Sequence, residues 1–351
     1  MRNTVNIAAL ATAVPRYRLD QESACLFAEA LFGADFKQVS STFANSGIRH
    51  RYAPVPIDWF KQPHDWPERN RLYLTASVEL LERVAGAALD TGNTPLDEVG
   101  AVVVVSTTGI ATPSLDALLI ERMGLPRKVQ RLPIFGLGCA GGALGMARAA
   151  TLAAMMPDKA VLLLVVELCT LSFRPNDRSK SNVVASALFG DGAAAALLRC
   201  NAPGPAITAA GEHLWPDSLD IMGWEVAGDG LKPVFSRDIP RLITSDLGVA
   251  ARDFLSEHDL TPTDIDRFVC HPGGPKVIAA CESAFGLAPG TLAEERGVLR
   301  DFGNMSAASV LFVLERVLAR ERLDGNGWRR ALLTALGPGF GAGFVLLTGE
   351  Q

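Results

Sequence analysis

Three residues of this 351-residue chain have side chains that suit acyl transfer: Cys139, His271 and Asn304. Cys139 lies in FGLGCAGGALG, between glycines and at the start of a helix-like run. A helix N-terminus carries unpaired N–H groups and a positive partial charge, which predicts a lowered pKa for a thiol there. A thiolate attacks thioesters, so Cys139 is the candidate nucleophile, and a small core residue is the alternative.

His271 and Asn304 supply the groups that an acyl-transfer nucleophile needs beside it. His271 follows a short apolar run in VCHPGGPKV, where a rigid Pro-Gly-Gly turn would hold the ring at a strand end. Asn304 lies in DFGNMSAAS, at the start of a second helix-like run, where an asparagine is ordinarily an N-cap. An imidazole could keep the thiol ionised, and imidazole and amide N–H groups could stabilise an oxyanion.

The elements that must position these residues form an internal repeat. Strand-like and helix-like runs alternate along the chain, which predicts an α/β fold with buried sheets. The predicted helices lie at about 20–34, 68–90, 113–124, 140–156, 240–257, 274–285 and 304–320. In each half an aspartate precedes a strand, a Gly-containing motif opens a helix, a second strand follows, and a Phe-Gly-x-Gly turn leads into a third. We therefore predict two copies of one unit, residues 1–200 with the cysteine and residues 201–351 with the histidine and asparagine. Pseudo-twofold packing would bring the three residues together.

Composition excludes several classes of protein. The chain is 48% hydrophobic and 20% charged with a net charge of −5, which excludes a disordered protein and disfavours nucleic acid as a partner. No apolar run approaches the ~20 residues of a membrane helix, and a cytoplasmic location is expected. The six cysteines include no C-x-x-C pair, so neither a disulfide framework nor a structural zinc site is predicted.

One motif invites a different interpretation. Gly136, Gly138 and Gly141 match the G-x-G-x-x-G dinucleotide fingerprint. However, no clear strand is predicted directly before it, and the nearest downstream acid, Asp158, falls at the end of the helix rather than after a second strand. The match is therefore not interpreted as a dinucleotide site.

The motifs resemble those of type III polyketide synthases, the chalcone and stilbene synthase family, over nearly the whole chain. GCAGG, HPGGP and GNMS match the family's nucleophile, histidine and asparagine at Cys139, His271 and Asn304. The resemblance implies a thiolase-like fold of two pseudo-symmetric α/β halves in an αβαβα core, and a homodimer. It implies no metal or redox cofactor, and iterative decarboxylative condensation of malonyl-CoA onto an acyl thioester starter, with cyclisation to a pyrone, resorcinol or phloroglucinol-type product.

Two alternative functions stay open beside this one. A single-round 3-ketoacyl synthase would use the same three residues, although HPGGP favours the polyketide branch. A non-catalytic scaffold of the same fold is the alternative from another class, and the intact Cys139, His271 and Asn304 disfavour it.

The resemblance also assigns further positions. Phe189, in ALFGDG, matches a phenylalanine that guards the pocket beside the cysteine, and Lys276 matches a position in the coenzyme A tunnel. Positions that shape the elongation cavity are matched by Thr107, Cys169, Ser172, Gly223 and Ser306.

Some positions depart from the plant enzymes. The segment before Arg49-His-Arg51 contains only one basic residue, Lys37, so coenzyme A phosphates would be met elsewhere, by Arg49 or Arg51, or the donor would be an acyl carrier protein. Pro233 or Val234 would occupy the position of a second gatekeeping phenylalanine. Thr112 replaces a methionine that reaches into the partner subunit. These departures indicate a bacterial-type member with a differently shaped cavity.

Overall fold

A computed structural model describes residues 3–33, 36, 40–325 and 327–349, so the predicted role of Lys37 lies outside the described residues. The strands are β1 (Val5–Ala13), β2 (Tyr17–Asp20), β3 (His50–Ala53), β4 (Val99–Val105), β5 (Gln130–Ile134), β6 (Ala160–Leu168), β7 (Asp191–Cys200), β8 (Ala206–Leu214), β9 (Met222–Ala227), β10 (Gly230–Phe235), β11 (Arg267–Cys270), β12 (Arg330–Gly337) and β13 (Gly341–Thr348).

The helices follow the predicted periodicity closely in most of the chain. They are α1 (Gln21–Phe32), α2 (Ser40–Ala44), α3 (Trp66–Thr91), α4 (Leu115–Met123), α5 (Gly141–Met155), α6 (Lys180–Leu188), α7 (Ile239–Leu242), α8 (Gly248–Ser256), α9 (Pro275–Ala284), α10 (Ala293–Phe302) and α11 (Ser309–Asp324). A π-helical turn, Ile243–Leu247, joins α7 to α8. Helices α2, α6 and α10 were not among the predicted helices.

The main sheet repeats its own topology. Its order is β11-β12-β13-β8-β1-β7-β6-β4-β5. In the first half β4 pairs parallel with β6, and β6 pairs antiparallel with β7. In the second half β11 pairs parallel with β12, and β12 pairs antiparallel with β13. The two sets meet where β1 pairs with β8 through Val5↔Ile207 and Asn6↔Ala206. This is the arrangement expected of two like α/β units, although the boundary at residue 200 stays a prediction.

Side chains that alternate along the strands build the layers. On β4, Val102 and Val104 pack into the core that contains α3 residues, whereas Val103 and Val105 pack into the core that contains α5 and α11 residues. In the second half β12 does the same, because Leu333 belongs to the α5–α11 core and Leu332 to the core on the α8–α9 side. Helices therefore cover both faces of each half-sheet, as the αβαβα prediction requires.

The central helices begin in close contact. A Cβ on Gly142 would lie 2.3 Å from the carbonyl oxygen of Ala307, and one on Gly141 would lie 2.6 Å from Val105 Cγ1. Glycines at the start of α5 thus let its first turn touch the turn that precedes α11. This contact brings the segments that contain Cys139 and Asn304 next to each other.

The expectation that no strand precedes Gly136 is wrong, because β5 ends at Ile134. β5 is an edge strand with exposed and half-buried residues, so it lacks the apolar run by which buried strands are recognised. The other argument against a dinucleotide site holds, since Asp158 lies in the turn between α5 and β6.

Candidate active site

Cys139 lies in a 3₁₀ turn, Gly138–Ala140, that joins β5 to α5. The turn requires a glycine before the cysteine, because Gly138 has a φ of +46° and a Cβ there would lie 2.5 Å from Pro338 Cδ. Cys139 as a whole is partly exposed, and its Sγ lies 3.6 Å from Ser306 Oγ in the second half of the chain.

The pKa of Cys139 departs from the sequence expectation. Burial raises it to about 12, and the nearby Glu167 raises it further, whereas the Ser306 hydroxyl opposes the rise. The expected lowering by a helix N-terminus is therefore wrong for this structure, because desolvation outweighs the helix contribution. The resting cysteine is a neutral thiol that needs a base.

His271 directly follows β11, and its N–H donates to the Thr334 carbonyl at 3.0 Å. The residue is 5% exposed, yet neither ring nitrogen has a hydrogen-bond partner within the described part of the chain. Burial lowers the pKa of His271 to about 4, so its imidazole is neutral near pH 7. A neutral ring with both nitrogens free can accept a proton or donate to a bound oxygen.

Asn304 is held by groups on both sides of its amide. Its Nδ2 donates to the Gly273 carbonyl at 3.1 Å, in the turn that follows His271, and its Oδ1 accepts the Ser306 N–H at 2.9 Å. The Pro-Gly-Gly turn and the Gly-Asn-Met-Ser motif are thus joined by a side chain. The amide retains a second N–H for another acceptor.

A backbone bridge joins Asn304 to Phe189. The Asn304 N–H donates to the Leu188 carbonyl at 2.8 Å, and the Gly190 N–H donates to the Asn304 carbonyl at 3.0 Å. This crossing needs glycine, because a Cβ on Gly190 would lie 2.1 Å from the Phe302 carbonyl oxygen. The glycines of ALFGDG and DFGNMS therefore let the backbone of Phe189 lie beside that of Asn304.

Arg51 supports this bridge from inside the protein. Its side chain is 4% exposed, and its Nη1 donates to the Phe189 carbonyl at 3.0 Å. The expectation that Arg51 meets a coenzyme A phosphate is therefore wrong, because its guanidinium is buried. Arg49 is exposed and remains available for such a role.

Glu167 is a buried acid that the sequence reasoning missed. Its Oε2 accepts the Thr107 N–H at 3.0 Å and the Thr108 hydroxyl at 2.9 Å, and its Oε1 lies 3.4 Å from Ser306 Oγ. Burial raises its pKa to about 8. The available signal was one acidic residue in the otherwise apolar strand AVLLLVVEL.

Thr107 contacts the nucleophile's turn as well, since its Oγ1 accepts the Gly138 N–H at 3.2 Å. Ser306 lies between Cys139 and Glu167 and has an unusual φ of +47°. The structure thus brings two of the predicted cavity positions, Thr107 and Ser306, directly to the cysteine.

An apolar pocket that opens to solvent adjoins this cluster at Phe189. Among its walls are the predicted positions Cys169, Ser172 and Phe189. The other lining residues come mainly from α1, α2, α6 and the segments near them: Leu19, Ala24, Phe27, Ala28, Phe43, Arg51, Ile57, Phe60, Thr170, Phe173, Ala185 and Ser186. The Ser172 hydroxyl donates to the Cys169 carbonyl at 2.7 Å, so it is turned toward the backbone.

The rings of Phe235 and Trp224 lie beside Phe189, and the expectation that Pro233 or Val234 occupies the second gatekeeping position stays a prediction. The Phe189 and Phe235 rings meet edge to face with centroids 5.7 Å apart, and the Trp224 ring lies 6.2 Å from Phe189. Both neighbours come from the β9–β10 hairpin, whose pairing the sequence pattern did not reveal. Gly223 lies beside Trp224, where an added Cβ would meet no atom within 4 Å.

Two predicted residues lie on the surface. Lys276 is exposed in the first turn of α9, and among the described residues no hydrogen bond or ion pair joins it to the cluster. Thr112 is also exposed. The described residues contain no group of three or more potential metal-ligating side chains and no helix long and apolar enough to cross a membrane.

The fold is that of a thiolase-like enzyme. Two family models match the chain: the N-terminal domain of chalcone and stilbene synthases over residues 63–202, and the C-terminal domain over residues 206–349.

Individual relatives agree with the family models. The chain is 40% identical to a 1,3,6,8-tetrahydroxynaphthalene synthase of Streptomyces peucetius subsp. caesius, over 97% of this chain and 92% of the relative. It is 37% identical to a putative chalcone synthase of Bacillus subtilis, over 98% and 99%. Among solved structures, PKS-I of the brown alga Ectocarpus siliculosus superposes with a TM-score of 0.94 at 28% identity, covering 100% and 99% of the two chains.

This chain therefore belongs to the chalcone and stilbene synthase family. It is a type III polyketide synthase, a condensing acyltransferase that uses malonyl-CoA.

Proposed function

We propose that Cys139, His271 and Asn304 perform the condensation in this protein. Cys139 attacks the carbonyl of a starter thioester as His271 accepts the thiol proton. The C–S bond of the starter thioester breaks, and His271 returns that proton to the leaving thiolate. The observation that supports this most directly is the His271 ring, which is 5% exposed and has no partner for either nitrogen in the described structure. Buried polar groups normally have hydrogen-bond partners within the protein, so a buried ring without one is available to bind a ligand.

Chain extension follows on the loaded cysteine. Malonyl-CoA loses CO₂ as its C–C bond breaks, and the electron pair becomes a thioester enolate. The free N–H of Asn304 and a His271 N–H would stabilise the enolate oxygen. The enolate carbon then attacks the acyl-cysteine carbonyl, which releases the Cys139 sulfur and lengthens the chain by two carbons. Hydrogen bonds alone hold the anion, so this scheme requires no metal or redox cofactor.

Phe189 and the apolar cavity favour decarboxylation and elongation. The Phe189 ring packs against Phe235 and Trp224, and this apolar wall disfavours a hydrated carboxylate next to Asn304. We propose that Thr107, Cys169, Ser172, Gly223 and Ser306 shape the space for the growing chain. The cyclised product would be of the pyrone, resorcinol or phloroglucinol type.

We further propose that the acyl donor is bound to coenzyme A. Arg49 and Lys276 are exposed and are the candidates to bind its phosphates. An acyl carrier protein is the alternative donor. A direct comparison of acyl-CoA with the same acyl group on a carrier protein tests this choice. A strong drop in kcat/KM for the coenzyme A substrate in both Arg49→Ala and Lys276→Ala would support it.

A homodimer in the cytoplasm is proposed on the family resemblance. β5 is the last strand of the sheet, and the residue one beyond it, Phe135, is 59% exposed. Exposed strand edges are normally covered, and a second copy would cover this one. Sedimentation equilibrium measures the mass; a monomer at micromolar concentration would contradict the proposal. The two-half division at residue 200 likewise remains a proposal.

The decisive experiment incubates the protein with radiolabelled malonyl-CoA and a panel of starter acyl-CoAs. One arm contains malonyl-CoA alone, because a relative at 40% identity is a tetrahydroxynaphthalene synthase. CO₂ release followed by products with two or more added two-carbon units supports the proposal. A product that carries a single added unit would instead indicate a one-round 3-ketoacyl synthase. No CO₂ release with any starter would refute the proposed condensation.

A further inference from the structure

A second buried carboxylate, Glu295 on α10, has no part in the proposed reaction. Its side chain is fully buried. Its Oε1 accepts the Cys270 N–H at 3.0 Å, and its Oε2 lies 3.5 Å from Arg267 Nη2. Arg267 and Cys270 are the first and last residues of β11, so one carboxylate contacts both ends of the strand.

The need for this contact follows from the place of β11 in the sheet. β11 is the edge strand, and its only neighbour is β12 among the strands described. The His271 N–H points toward β12 and donates to Thr334, whereas the Cys270 N–H, one residue earlier, points away from the sheet. Without an acceptor from outside the sheet this buried N–H would be unpaired, and Glu295 supplies that acceptor.

The same carboxylate also belongs to the segment that ends at Asn304. Helix α10 ends at Phe302, and Gly303 and Asn304 follow directly. Glu295 therefore joins the helix that leads to Asn304 to the strand that leads to His271. The His271 ring itself has no hydrogen bond to fix it within the described residues, so its position depends on the backbone from which it projects.

We propose that Glu295 is a positioning residue, which sets His271 relative to Asn304 by holding the Cys270 N–H from α10. This inference rests on the proposed function, because it assumes that both side chains act on one enolate. Two groups that bind the same oxygen must keep their spacing to within a fraction of an ångström. A small shift of β11 along α10 would therefore lower catalysis before it unfolds the protein.

A second buried glutamate, Glu282, serves as a control for Glu295. Glu282 on α9 is also buried, accepts the N–H groups of Gly290 and Leu292 at 2.9 and 3.1 Å, and pairs with Arg296 at 2.6 Å. It secures the loop between α9 and α10 rather than the end of β11. Loss of Glu282 removes similar interactions without touching the residues next to His271.

The test compares Glu295→Gln with Glu295→Met, and Glu282→Met serves as the control. Gln and Met both remove the charge, but only Gln keeps an oxygen that can accept the Cys270 N–H. We expect Glu295→Met to lower kcat for malonyl-CoA decarboxylation about tenfold or more, with KM and the rate of Cys139 alkylation by iodoacetamide within about twofold of the parent. Glu295→Gln should stay within about threefold of the parent kcat.

Several results would overturn the inference. One is a Glu295→Met kcat equal to that of Glu282→Met at matched loss of thermal stability; another is an equal loss of kcat in the Gln and Met variants. If Glu295→Met does not fold, Glu295→Asp takes its place, because it keeps the charge near Arg267 but is too short to reach the Cys270 N–H. A parent protein that releases no CO₂ would refute the proposed function itself, whereas these comparisons require an active parent.

Discussion

The two halves of the molecule use the same elements for different chemical tasks. A 3₁₀ turn precedes α5 in the first half and α11 in the second. The first turn contains Cys139, whereas Asn304 lies two residues before the second turn, Ser306–Ala308. The scaffold is repeated, but in the proposed reaction the first half supplies the nucleophile and the second supplies the amide and the imidazole.

Buried carboxylates show a second parallel between the halves. Glu167 accepts the N–H of Thr107, just beyond β4, and Glu295 accepts the N–H of Cys270, at the end of β11. β4 and β11 occupy equivalent places in the two half-sheets. The acids come from different elements, β6 and α10, so the sequence repeat does not align them. The shared requirement is an acceptor for a buried strand-end N–H.

The largest effect is expected from removing the nucleophile in the first half. Cys139→Ala removes the sulfur that holds the acyl group, so covalent loading should be abolished and condensation should fall by about 10³-fold or more. Intact-protein mass spectrometry after incubation with a starter acyl-CoA measures the loading. Cys200→Ser, at a partly exposed cysteine at the end of β7, is the matched control. Continued loading of Cys139→Ala at another cysteine would show that the nucleophile is misassigned.

The second half should be sensitive at a different step. Asn304→Ala removes an enolate donor but leaves Cys139 in place, so decarboxylation of malonyl-CoA should fall about 100-fold or more while acyl loading changes much less. Release of labelled CO₂ and stopped-time loading measure the two steps in parallel. Equal losses in both steps would remove the proposed difference between the halves.

A smaller effect is expected at Glu167, whose titration should change the stability of the protein with pH. Burial raises its pKa from 4.5 to about 8, so between these values the folded protein holds a proton that the unfolded chain has lost. Its contribution to stability is therefore full below pH 4.5 and is lost as the pH rises through about 8. Glu167→Gln cannot titrate, so its Tm relative to the parent should increase between pH 5 and pH 8.

Differential scanning calorimetry at several pH values measures that difference. His271 has the opposite sign, because its lowered pKa adds stability that appears as the pH rises above about 4, and this contribution is common to both proteins. A Tm difference that is constant from pH 5 to pH 8 would mean that Glu167 is already ionised in the folded protein.

The smallest effects come from the scaffold that joins the halves. Gly142→Ala places a Cβ 2.3 Å from the Ala307 carbonyl oxygen, so it should destabilise the protein by about 1–3 kcal/mol. Gly86 lies within α3 and an added Cβ there meets nothing within 4 Å, so Gly86→Ala should stabilise by up to about 1 kcal/mol. Urea unfolding measures both, and similar values for the two would mean that α5 and the turn before α11 are not tightly packed.

Much of this organisation was predictable because it depends on local patterns. The apolar strands β4, β6, β12 and β13 and the helices α3, α5 and α11 follow from hydrophobic periodicity. The three catalytic candidates follow from motifs whose glycines permit tight turns. β5, β9 and α10 were missed because an edge strand, an exposed hairpin and a charge-rich helix have weak apolar patterns.

By itself the sequence determined the family, the repeated unit and the identities of Cys139, His271 and Asn304, since these depend on residue types and short spacings. Only the tertiary structure decided the burial that raises the pKa of Cys139 and lowers that of His271. It also decided that Arg51 donates to the Phe189 carbonyl from inside, that the Phe235 ring packs against Phe189, and that Glu167 contacts Ser306. These properties depend on distances between residues far apart in the chain, and desolvation arises only once those residues are packed together.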